Sequence, residues 1–95
     1  MYMALVTMTA TRRSARADID ANLVADLLWA LAEPSHHLEH VHAKSVPGRV
    51  DLVLFHLTAD APAAATAARQ LCRLAVSTSP RLRGWQVSST VEEYC

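Results

Sequence analysis

Apolar positions come in two rhythms along this chain. From Tyr2 to Thr9 both alternation sets are apolar: Tyr2, Ala4, Val6 and Met8 on one side, Met3 and Leu5 on the other. A strand apolar on both sides normally sits centrally in a sheet and is covered twice. From Asp20 to Glu33 the period lengthens to that of a helix. Leu23, Leu27, Leu28 and Leu31 form its stripe, with Val24 at the edge. Asp20 is placed to cap it, Ile19 and Val24 have the spacing of a hydrophobic staple, and Pro34 stops it. Trp29 falls nearly opposite the stripe, as an ordinary surface residue or a contact aromatic for a partner.

The stretch from His36 to Leu57 predicts a hairpin turning at Pro47-Gly48. Counting outward pairs Val46 with Arg49, Lys44 with Asp51, His42 with Val53, His40 with Phe55 and Leu38 with Leu57. The alternate set pairs Ser45 with Val50, Ala43 with Leu52, Val41 with Leu54 and Glu39 with His56. A solvated sheet face should be polar, and neither face of this hairpin is. One carries Val41, Leu52 and Leu54; the other carries Val53, Phe55 and Leu57 beside two histidines.

A second helix is expected from Ala61 to Ser77, capped by Asp60, with Pro62 in its first turn. Its stripe is built of small residues (Ala64, Ala68, Leu71, Cys72 and Ala75), which let it sit close to a sheet. Trp85 to Val91 reads as the last strand, with Trp85, Val87, Ser89 and Val91 on one side. Residues 92–95 read as a short tail, so one domain over residues 1–91 is expected. Strand, helix, strand, strand, helix, strand is the order of the ferredoxin-like arrangement. The fold class expected is therefore α+β: a four-stranded antiparallel sheet of order 4-1-3-2 with both helices on one face. Strands one and three, the two apolar on both sides, would be central.

That arrangement leaves one sheet face bare. Leu38, His40, His42, Val53, Phe55 and Leu57 are expected on it, with Gln86, Ser88 and Thr90 from the last strand and one of the two sets of strand one. An apolar patch of about 300 Å² would be worth roughly 7 kcal/mol when buried, before association costs. The leading occupant is a second copy of the chain, related by a two-fold axis. A different protein or a small molecule follows. Stacked nucleotides on Tyr2 and Phe55 resemble the use of an RNA-recognition sheet, but the basic Gly-aromatic signature of that family is missing.

Composition sharpens this picture. The chain has 95 residues, 52% hydrophobic and 19% charged, with net charge zero. Such a chain buries only about two thirds of its unfolded surface alone, so association adds burial. Zero net charge argues against nucleic acid as partner. No secretion signal and no stretch of membrane-spanning length is read, and Cys72 and Cys95 make no disulfide framework. The expected location is cytoplasmic, without a membrane partner.

Candidate chemistry centres on histidine. Four of the five histidines fall in His36-His37-Leu38-Glu39-His40-Val41-His42. His40 and His42 project to one strand face about 6 to 7 Å apart. They suit a metal weakly, because zinc needs three or four protein ligands, and edge strands carry polar residues for protection anyway. Arg12, Arg13 and Arg16 precede the first helix and form a weak anion-binding candidate. Ser35, Thr58 and Ser77 have no base beside them, and Cys72 falls on the buried side of its helix. Thr90-Val91-Glu92-Glu93-Tyr94-Cys95 looks like the end of precursor peptides whose terminal cysteine is decarboxylated and joined to a dehydrated Ser or Thr. Cys95 is otherwise a thiol available for linkage.

The reading that results is a non-catalytic interaction module, homodimerising through the open sheet face, with no cofactor. A small dimeric enzyme or ligand sensor with a pocket lined by His40, His42 and Phe55 is the alternative. A modified-peptide precursor ending in Cys95 stands third.

Overall fold

The computed structural model describes residues 1–11 and 19–94. Among them the chain is α+β, with an antiparallel sheet and two helices. The elements are β1 (Tyr2–Ala10), α1 (Ala21–Leu31), β2 (Leu38–Val46), β3 (Arg49–His56), α2 (Ala61–Thr78) and β4 (Trp85–Tyr94), with single 3-10 turns at Pro34–His36 and Pro80–Leu82. The strands lie in the order β2-β3-β1-β4, every neighbour antiparallel. Both helices pack on one face, α2 across β1 and β4 and α1 over β2. No helix among the described residues is long and apolar enough to cross a membrane.

Local chemistry explains the boundaries. The Asp20 carboxylate accepts from the Asn22 backbone N–H at 2.9 Å and opens α1. Asp60 accepts from the Ala63 N–H at 2.8 Å and opens α2, with Pro62 in its first turn. The β2–β3 hairpin turns at Pro47-Gly48, where Gly48 takes φ +78°. A proline followed by a residue at positive φ is what a type II turn asks for.

The core lies between the sheet and the helices. Ala4, Val6 and Met8 face it from β1, and Val50, Leu52, Leu54 and His56 from β3. Val24 and Leu28 are the fully covered residues of α1, with Leu27 and Leu31 partly covered. Leu23, expected in that stripe, stands at its margin, because α1 covers the edge strand and presents a narrow face. Five alanines of α2 are buried with Leu71 and Cys72, so this helix approaches the sheet closely. Burial pushes the Cys72 thiol up to about 12, which leaves it an inert apolar group.

Three expectations about faces and ends change. First, β4 continues to Tyr94, so residues 92–94 of the stretch expected as a tail are strand, paired along β1 as far as Tyr2. Second, β4 carries a bulge. Met8 pairs with Val87 and Thr7 with Ser89, so Ser88 is the extra residue, its hydroxyl donating to the Thr7 carbonyl at 3.0 Å. Beyond it the alternation inverts. Thr90, expected on the bare face, pairs with Val6 on the helix side, and Val91 pairs with Leu5 on the open side. Third, β2 is bulged at Glu39. Leu38 pairs with His56 and His40 with Phe55, so the expected pairs Leu38–Leu57 and Glu39–His56 do not form. Leu38 turns to the core instead.

Candidate functional site

The uncovered face is organised as rows across the strands. His42 of β2, Val53 of β3, Leu5 of β1 and Val91 of β4 are successive cross-strand neighbours. His40, Phe55 and Met3 form the next row. Leu5 is 36% exposed and Val91 53% exposed, which is high for aliphatic side chains aligned in one row. Toward the hairpin turn the face becomes polar, with Lys44 opposite Asp51 and the Arg49 Nε 3.3 Å from the Asp51 carboxylate. Both of those groups are about half exposed, so the pair contributes little to stability.

Both apolar rows end in a histidine at the β2 edge. His40 and His42 are two residues apart on one strand, hence on one face. Their Nε2 atoms are 3.2 Å apart and their ring centroids 4.5 Å apart, nearly perpendicular. The Phe55 ring lies beside both, with centroids 5.8 Å from His40 and 6.2 Å from His42. For the nitrogens to bond, one Nε2 donates and the other presents its lone pair. Both rings are exposed.

A second pair of histidines does different work. His56 is fully buried on the helix side. Its Nδ1 lies 2.7 Å from the His36 carbonyl oxygen. A carbonyl only accepts, so Nδ1 carries the proton and donates. Nε2 is then a bare lone pair, buried without a partner among the described residues. Loss of water lowers the His56 pKa below its ordinary value. The bond to the His36 carbonyl opposes this, and charge on His36 and His37 adds to the lowering. The His36 ring is occupied too: its Nδ1 accepts from the Glu33 backbone N–H at 2.9 Å and tightens the turn that delivers the carbonyl.

The residues expected at the site divide as follows. His40, His42, Val53 and Phe55 come together on the open face. Leu57 is 58% exposed just past the end of β3, its backbone N–H donating to the His37 carbonyl at 2.8 Å. Leu38 does not belong to this group. Arg12, Arg13, Arg16 and Cys95 lie outside the described residues. The residues that sequence reasoning placed wrongly or left unassigned are Val91, Met3 and Leu5. Leu5 and Met3 were one of two equal choices on β1, and Val91 arrives through a bulge with no local signal. Trp29 is 45% exposed and borders an open cleft of about 410 Å³ with Pro34, His37 and Leu38, away from the open sheet face. Among the described residues no group of three or more His, Cys, Asp or Glu is placed to hold a metal ion.

No protein-family model, curated protein or solved structure matches the chain.

Proposed function

We propose that the chain is a ferredoxin-like domain serving as an interaction module, and that it pairs with a second copy through its open sheet face. The strand order and the placement of both helices on one side support the fold reading. The observation that carries the functional reading is the pair of apolar rows, Val53–Leu5–Val91 and Phe55–Met3, left without cover in a small domain. Four strands about 4.8 Å apart and eight residues long make a face of about 500 Å². Two such faces bury about 1,000 Å², the lower bound of a specific interface. A buried free thiol at Cys72 goes with a cytoplasmic location.

Sedimentation equilibrium on the wild type and on Phe55→Asp tests the reading. The wild type is expected to be a dimer at micromolar concentration, and Phe55→Asp a folded monomer with an unchanged far-UV spectrum. A wild-type monomer across the accessible concentration range overturns it. The ring cluster of His40, His42 and Phe55 supports a second reading, a small-molecule pocket between sheet and partner. In that case His42→Ala removes a co-purifying small molecule seen by native mass spectrometry and leaves the dimer intact.

A further inference from the structure

We infer that His40 and His42 form half of a divalent transition-metal site, completed by the same two residues of a second copy. The inference rests on the dimer proposed above and assigns its open edge a chemistry.

Distance is the first argument. Two imidazole nitrogens bound to one zinc ion at 2.0–2.1 Å, at the tetrahedral angle, stand about 3.3 Å apart. The two Nε2 atoms of this chain stand 3.2 Å apart. Both belong to exposed side chains on one strand face, so small rotations turn their lone pairs toward a common point. The proton now shared between them moves to an Nδ1 by exchange with water. Both rings then bind as neutral imidazoles, the form a metal requires.

Incompleteness is the second argument. One chain supplies two ligands, and no third His, Cys, Asp or Glu joins them among the described residues. A closed tetrahedral site needs four. A two-fold axis doubles two to four, provided it brings the pairs together.

Row geometry supplies that condition. Consider an axis lying between two stacked sheets, running across the strands between the row His42–Val53–Leu5–Val91 and the row His40–Phe55–Met3. It sets each strand over its own copy, antiparallel. Val53 then meets the partner copy's Phe55, Leu5 meets its Met3, and His40 meets its His42. On β3 and β1 apolar residues meet apolar residues, on β4 the register sets Val91 opposite the partner's Glu93, and four imidazoles converge at the β2 edge. Stacked sheets are about 10 Å apart, so each side spans half of that, within reach of the outer nitrogen of an extended histidine. Phe55 walls the inner side of the ring pair and limits water there.

The test uses tag-free full-length protein, stripped with a chelator and titrated with Zn²⁺ alone. Native mass spectrometry and sedimentation equilibrium are run at each step, with Co²⁺ absorption reporting coordination number. One Zn²⁺ per two chains is expected, with at least a tenfold tighter dimer and an intense tetrahedral Co²⁺ band. His42→Ala should lose the ion and the tenfold gain while keeping the metal-free dimer. A dimer that takes up no Zn²⁺ overturns this inference and leaves the dimer reading standing. A monomer with and without Zn²⁺ overturns both. One ion per chain without dimerisation likewise overturns both, whereas undiminished uptake by a dimeric His42→Ala places the metal elsewhere and overturns the inference alone.

Discussion

On the covered face of the sheet, His56 stands in register with Val50, Leu52 and Leu54 and has no contact with water. It spends its one donor on the His36 carbonyl and keeps a bare nitrogen in the core. On the open face, one strand away, His40 and His42 stand in rows just as apolar, yet remain exposed and face each other. The same side chain therefore does opposite things within one hairpin. Covered, it is held neutral and fixes the turn at Pro34–His36 to the end of β3. Uncovered, its ring stays exposed and meets a second imidazole. What differs is whether a helix lies above it, because water decides the cost of charge and the availability of a lone pair.

Substitutions that break this contrast rank by how much burial they disturb. Leu54→Ala, on the covered face, should cost about 2–5 kcal/mol of folding stability in urea denaturation. Leu5→Ala, on the uncovered face of the neighbouring strand, should cost under about 1 kcal/mol in a monomeric background such as Phe55→Asp. Similar losses at both positions would show that the open face is covered within the monomer.

Val91→Ser removes the aliphatic side chain that the bulged strand β4 sets beside Leu5 on the open side. Dimerisation is expected to weaken about tenfold, roughly 1.4 kcal/mol, by sedimentation equilibrium. Undiminished association would remove Val91 from the interface.

The histidine contrast sharpens with pH. The His56 pKa is below 6.5 in the folded chain and ordinary in the unfolded one, so between those values the unfolded state binds more protons. The contribution is fully present above pH 6.5 and is lost as pH falls from there through the lowered folded value. His56→Phe should flatten that part of the stability curve, read as urea midpoints from pH 7.5 to 5. An unchanged slope would assign the acid sensitivity to other groups. The smallest effect is expected at the turn. Gly48→Ala meets no atom within 4 Å but must hold φ +78°, at a cost of about 1 kcal/mol by thermal melting.

Much of the architecture was legible in the residues. The double alternation of Tyr2–Thr9, the aspartate caps at Asp20 and Asp60, and the Pro47-Gly48 turn each carry a local physical cause, and the elements follow from them. The hairpin register was readable from Val46 to His40, because a two-residue turn fixes pairing outward until something interrupts it. The composition of the open face was readable to the same extent: His40, His42, Val53 and Phe55 were placed together on it, whereas Leu38 and Val91 were assigned to the wrong faces.

The sequence by itself determined the order of strands and helices, short of the extension of β4 to Tyr94, and the alternation of side chains within each unbulged stretch. Tertiary structure alone decided which side of β1 meets the helices, since both sets were apolar. It also decided the bulges at Glu39 and Ser88. A bulge is one residue more than the partner strand can pair, and its place depends on how two distant strands fit over a shared core. No local pattern announces it. Each bulge inverts every side chain beyond it, which is how Leu38 came to the core and Val91 to the open face.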